Sequence, residues 1–196
     1  MHQDEHLPGY SVDSVNRARK IKLLLMDVDG VLTDGKLYYF PGADGQPVEF
    51  KGFHSHDGLG FHFLNACGIK TGVISGRESP AVTERARILK MTYVYQGLLH
   101  KIPSYEEIIS DAGLRDEEVA FIGDDFTDVP LLRRVGLACA VGNARPEVKA
   151  AAHFVSQAHG GDGAVREIME LILKAQGHWE KILDQYRLID FARSNS

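Results

Sequence analysis

The sequence predicts a parallel α/β fold, a Rossmann-like sheet flanked by helices, and three observations predict it. Six short apolar runs recur along the chain: IKLLLMDV, IKTGVIS, TYVYQ, VAFIG, LACAV and HFVS. Most are continuously apolar, as strands covered on both faces must be. Between them lie stretches of helical length punctuated by Pro or Gly, so each crossover is a single helix.

Taken in order, the first run ends in the acidic DVDG. The segments KLYYF and PVEFKGF follow, flanking PGADGQ, whose Pro, Gly and Asp-Gly favour chain reversal, so a projecting β-hairpin is expected at about 36–53. A helix is expected at 58–67, closed by Gly68, and another at 80–90, entered through Ser79-Pro80. Further helices are expected at 103–112, 129–135 and 145–151, the first two closed by Gly113 and Gly136. Val165, Ile168, Met169, Ile172 and Ala175 form a helical apolar stripe, and Trp179, Ile182, Leu183 and Tyr186 continue one past Gly177. The expected organisation is an N-terminal segment at 1–19, one core at 20–176 and a helical C-terminal extension at 177–196.

Composition narrows the function. The 196 residues are 44% hydrophobic and 25% charged, ordinary for one globular domain. Net charge is -5 with Lys and Arg scattered, which disfavours nucleic acid or an anionic membrane as partner. Cys67 and Cys139 read as small packed hydrophobes rather than a disulfide framework. Neither a signal-peptide core nor a run of membrane-spanning length is evident, and a cytoplasmic protein is expected.

The chemistry gathers at strand ends, where open parallel sheets bind ligands: Asp27 and Asp29 after the first run, Ser75 after the second, and Asp124, Asp125 and Asp128 in GDDFTD. Carboxylates crowded in this way repel one another, and Mg²⁺, a hard cation with oxygen ligands, resolves the conflict. Asp-Gly is also ordinary turn chemistry, but a second acidic cluster after a second apolar strand makes coincidence a poor account.

In their order, DVDGVLT, VISGR, Lys101 in GLLHK, and GDDFTD resemble the four signatures of the haloacid dehalogenase superfamily, from about Lys20 to Ala175. The resemblance implies that Asp27 is a phosphoryl acceptor and that Asp29 protonates the leaving alcohol and then activates water. It implies Mg²⁺ held by the side chains of Asp27 and Asp124 and the main-chain oxygen of Asp29. Ser75, the Gly76 amide and Lys101 would bind the phosphate, with Asp125 and Asp128 behind them; Asp128 could equally cap the helix near Val129.

Neither inter-signature gap has room for a cap domain. Together with FHSHDGLGF, YQGLLHK and GGDGAVREIMELILKAQG, this resembles the capless 3-deoxy-D-manno-octulosonate 8-phosphate phosphatases, which are Mg²⁺-dependent tetramers. By that resemblance the ligand is a small phosphorylated sugar acid. It would be recognised by His54, Ser55, His56, Asp57 and Gly58, with Asp29, His62, Gly76, Arg77, Arg85 and Lys101. An isolated hairpin cannot bury both faces, which independently points to a homo-oligomer. His56, His62 and Asp162 stand where members often carry Arg, removing constant positive charge at the sugar end. A nine-carbon sugar acid 9-phosphate and a non-catalytic module of the same fold are the alternatives.

Overall fold

The computed structural model describes residues 7–189, so the outer parts of the two expected terminal segments, 1–6 and 190–196, lie outside it. Helix α1 (Val12–Ala18) precedes strand β1 (Leu23–Met26), and the hairpin strands β2 (Tyr38–Pro41) and β3 (Pro47–Phe50) come next. Then follow α2 (Ser55–Ala66), β4 (Lys70–Ile74), α3 (Pro80–Leu89), β5 (Tyr93–Tyr95), α4 (Ile102–Ala112) and β6 (Val119–Gly123). The chain continues through α5 (Val129–Leu132), β7 (Leu137–Ala140), α6 (Pro146–Ala150), β8 (Phe154–Val155), α7 (Ala164–Ala175) and α8 (Trp179–Gln185).

Six strands form one parallel sheet in the order β5-β4-β1-β6-β7-β8. The most apolar run occupies its centre, where Met26 lies beside Val73 of β4 and Ile122 of β6. All four residues of β1 are buried, as a central strand flanked on both edges requires. Truncating one of them, such as Leu25→Ala, would cost about 2–5 kcal/mol through lost transfer energy and the cavity left behind. This register aligns the carboxyl ends of β4, β1 and β6, so the residues that follow them open onto one crevice.

Several boundaries differ from the sequence expectation for local reasons. Helix α2 starts at Ser55 rather than 58, because Asp57 in its first turn accepts a hydrogen bond from the Arg166 amide at 2.8 Å and ties the helix to α7. The helix expected at 129–135 shortens to Val129–Leu132 behind a single 3₁₀ turn at Phe126–Asp128. Helix α1 was not anticipated, yet Ser11 caps it by accepting from the Ser14 amide at 3.1 Å, and Val15 and Ala18 enter the core. Cys139 is buried within β7, where burial pushes its thiol up; Cys67 is half-buried, and both are free.

Helix α7 buries Val165, Ile168, Met169 and Ile172 and packs against α1 and α2. Past Gly177, α8 places Trp179 and Tyr186 edge-on against Phe63, with Ile182 buried. No helix among the described residues is long and apolar enough to cross a membrane.

The hairpin pairs Tyr38 with Phe50, Tyr39 with Glu49 and Phe40 with Val48. Period-two alternation divides its faces. Tyr38, Phe40, Val48 and Phe50 form an apolar face that is 36–47% exposed, with Tyr38 and Phe50 stacked at 5.0 Å. Glu49, and Lys51 just beyond the strand, turn the other way, toward the crevice.

Candidate active site

Asp27 follows β1 and extends its ladder by one bond, its amide donating to the Ile122 carbonyl at 3.0 Å. Its Oδ1 accepts from the Val28 amide at 2.7 Å, and its Oδ2 faces Lys101 Nζ at 3.1 Å. Burial pushes the Asp27 carboxyl up to about 6; the Asp128 charge adds to this and Lys101 opposes it.

Lys101 comes from the loop after β5, at the start of α4, and is 3% exposed. Its Nζ donates to Asp128 Oδ1 at 2.6 Å and lies 5.6 Å above the Phe121 ring. Burial alone would lower its pKa, but Asp27 and Asp128 outweigh it and hold the ammonium charged. The other oxygen of Asp128 accepts from the Asp124 and Asp125 amides at 2.9 and 3.3 Å, so this fully buried residue fastens the lysine and shapes the loop together. Asp125 accepts from the Phe126 amide at 2.7 Å and caps the 3₁₀ turn.

Asp124 follows β6. Asp27, Asp124 and Asp128 each bring one carboxylate oxygen within 4.8 Å of the others. Both Asp128 oxygens already accept hydrogen bonds, whereas Asp124 Oδ1 is buried with no partner. Burial, then the charges of Asp128, Asp27 and Asp125, push the Asp124 carboxyl up to about 8. A buried acceptor left unsatisfied is costly, and a cation supplies what it lacks. The donor set, all hard oxygens, fits Mg²⁺ at Asp27 and Asp124.

Two glycines make this approach possible. A Cβ on Gly30, which has φ +91°, would stand 2.1 Å from Asp124 Oδ2, and one on Gly160 would stand 1.7 Å from the Gly30 carbonyl oxygen. Only residues without side chains let the two acidic loops and the GGDG turn close together.

Around this centre, the Ser75 hydroxyl is buried and accepts from the Arg77 amide at 3.3 Å. Asp29, two residues past Asp27, meets Lys51 Nζ at 2.5 Å through Oδ1 and Arg77 Nε at 3.4 Å through Oδ2. Glu49 pairs with Arg77 and lies 3.3 Å from Lys51. Burial works to raise the Glu49 carboxyl, but the Arg77 hydrogen bond and the Lys51 charge hold it below its ordinary value.

The expected sugar-binding residues divide. His54 and Ser55 open α2, with His56 edge-on to His54 at 4.8 Å and Asp162 3.8 Å from His54 Nε2. Arg85 reaches the His54 carbonyl at 3.3 Å, and Gly58 faces its guanidinium. Asp57 is instead a buried clamp on α7; burial raises its carboxyl while the Arg166 amide counters. His62 stands about two turns further along α2 than His54 and lines a cleft with Gly58 and, from the C-terminal end of α3, Leu89 and Lys90. Lys51 and Glu49 were missed, although the E-F-K alternation in an otherwise apolar strand would put both on one face.

A crevice at parallel strand ends, carrying two aspartates two residues apart, a buried lysine and a third aspartate on the next strand, defines a class, and a family model of haloacid dehalogenase-like hydrolases matches residues 70–168. The chain is 41% identical to the 3-deoxy-D-manno-octulosonate 8-phosphate phosphatase KdsC of Yersinia pestis, over 86% of this chain and 88% of that one. Among solved structures, it matches a "probable yrbi family phosphatase" of Pseudomonas syringae pv. phaseolica at TM-score 0.85 and 44% identity, covering 90% of this chain and 98% of that one. It also matches the 3-deoxy-D-manno-octulosonate 8-phosphate phosphatase of Moraxella catarrhalis, crystallised with magnesium, phosphate and KDO, at TM-score 0.84 and 35% identity over 89% and 98% of the two chains. The chain belongs to the 3-deoxy-D-manno-octulosonate 8-phosphate phosphatase family of the haloacid dehalogenase-like hydrolases.

Proposed function

We propose that this chain is a Mg²⁺-dependent phosphomonoesterase that hydrolyses 3-deoxy-D-manno-octulosonate 8-phosphate to the free sugar acid and phosphate, in the cytoplasm and in service of lipopolysaccharide assembly. The observation that carries the reading is the meeting of Asp27, Lys101 and Asp124 at one crevice, with a partnerless buried oxygen on Asp124.

The Asp27 carboxylate attacks phosphorus and the bond to the sugar oxygen breaks, leaving an aspartyl-phosphate. Asp29, two residues on, gives a proton to the departing oxygen. In the second half, Asp29 takes a proton from water as that water attacks phosphorus, and the Asp27–phosphorus bond breaks. Lys101, fastened by Asp128, places fixed positive charge beside the nucleophile where equatorial negative charge develops. The Ser75 hydroxyl and the Gly76 amide orient phosphate oxygens. The Asp27 and Asp124 side chains and the Asp29 main-chain oxygen would hold Mg²⁺, which would supply the neutralisation that lets an anionic nucleophile meet an anionic ester.

Sugar recognition falls to His54, Ser55 and His56 at the mouth of α2, with Arg77 and Arg85 supplying cations for a substrate that bears a carboxylate. The exposed apolar hairpin face supports assembly into a homotetramer, in which a neighbouring chain completes the uncapped crevice.

Phosphate release from a panel of sugar phosphates tests the substrate. The eight-carbon acid 8-phosphate is expected to exceed the others in kcat/KM with Mg²⁺ and to lose turnover in chelator. Preference for a nine-carbon acid 9-phosphate would reassign the substrate, and equal rates on all would defeat any specific assignment.

A further inference from the structure

The hairpin contributes a buried charge that the mechanism above does not use. Lys51 has a side chain only 2% exposed, and its ammonium meets Asp29 Oδ1 at 2.5 Å and Glu49 Oε1 at 3.3 Å. Glu49 in turn binds Arg77, whose Nε lies 3.4 Å from Asp29 Oδ2, so the four side chains close a ring of alternating charge. The two cations differ in kind. Arg77 is 41% exposed, and its contact with Asp29 is long enough to yield to a ligand. A buried ammonium cannot be left unpaired, and Lys51 directly follows Phe50, the last paired residue of β3, with its side chain turned the opposite way.

We propose that Lys51 is a positioning residue for acid–base catalysis: it pins Asp29 through Oδ1 and thereby presents Oδ2 to the reacting oxygens. The inference rests on the phosphatase reading above. In the first half-reaction the Oδ2–H bond breaks, the proton joins the sugar oxygen as its bond to phosphorus breaks, and Oδ2 keeps the electron pair. In the second, a water O–H bond breaks, its proton returns to Oδ2, and its oxygen bonds to phosphorus as the bond to Asp27 breaks. Lys51 exchanges no proton in either half. Its location makes the hairpin part of the active site as well as a surface for assembly.

A leaving group that needs no proton distinguishes this role from general support of the fold. Lys51→Met is examined in single turnover, with Mg²⁺ and enzyme in excess, following release of the first product from the sugar phosphate and from p-nitrophenyl phosphate. The sugar reaction, which needs protonation, is expected to slow at least about tenfold more than the aryl reaction, a part of the roughly 10²–10⁴-fold that general acid catalysis contributes. A ratio of slowdowns below about ten, whatever the absolute loss, overturns the proposal. If circular dichroism shows that Lys51→Met does not fold, Lys51→Gln is read by the same ratio. A wild-type chain inactive on the sugar phosphate would overturn the substrate reading alone, and the same comparison would then use another alkyl phosphate.

Discussion

Removing one carboxylate from the site should make the metal-free protein more stable while abolishing its function. At pH 9, above the value of about 8 to which burial and its neighbours push this carboxyl, Asp124→Asn keeps the side chain's size but removes a charge that Asp128, Asp27 and Asp125 all oppose. It also replaces one carboxylate oxygen with an amide donor beside acidic neighbours, in place of a group whose Oδ1 has no partner. Relief of one unsatisfied buried acceptor is worth about 1–3 kcal/mol. For a chain of this size each kcal/mol moves Tm by about 2–4 °C, so the variant in chelator should melt several degrees above wild type. Saturating Mg²⁺ should reverse the order. At about one hundred times Kd, an ion that binds only the folded state adds about 2.7 kcal/mol to wild type, and little to a variant that has lost its principal ligand. Thermal unfolding by calorimetry, with chelator and with Mg²⁺, reads both arms. A variant less stable than wild type in chelator, or one that Mg²⁺ stabilises equally, would refute the assignment of Asp124 as a strained cation ligand.

Asp27→Asn removes the proposed nucleophile and should slow turnover by at least about 10⁴-fold, a barrier increase of about 5.5 kcal/mol, read by steady-state phosphate release. If the chain forms the proposed tetramer through its hairpin, Phe50→Asp, which puts a charge into the exposed hairpin face, should shift the distribution toward smaller species in sedimentation velocity; an unchanged distribution would remove the hairpin from the proposed interface. His153 accepts from the Ala138 amide through Nδ1, and burial, then Arg17, lowers its pKa below 6.5, with Asp13 opposing. Because the unfolded chain takes up the proton first, stability is full above pH 6.5 and declines as pH falls below it. His153→Asn, which keeps an acceptor in place, should flatten that decline in urea unfolding followed across the same range.

The parallel sheet was legible because its strands are apolar on both faces, a pattern that little else requires. The acidic cluster was equally legible, since Asp27 and Asp124 each stand directly after such a strand, and parallel strands end together. Residues placed by packing between distant segments were harder to read. Asp57 looked like a loop residue near substrate, but it serves α7, whose first turn arrives more than one hundred residues later. His62 lay close in sequence to the histidines at the mouth of α2, yet the helix carries it about two turns further on, to a cleft shared with Leu89 and Lys90. Helix α1 turns only Val15 and Ala18 inward among its apolar residues, a signal too short to stand out until α7 packs against it.

Strand pattern and motif spacing by themselves determined the architecture and the crowding of carboxylates that calls for a cation, because each follows from local periodicity or from charge gathered at a strand end; the roles proposed for Asp27 and Asp29 rest instead on the resemblance of DVDGVLT to a family signature. Tertiary structure alone decided which charges are paired. Lys101 meets Asp128, and Lys51 meets Asp29, across loops whose closure no local pattern specifies; their energies depend on burial and on separations of a few ångströms, which only the folded chain sets.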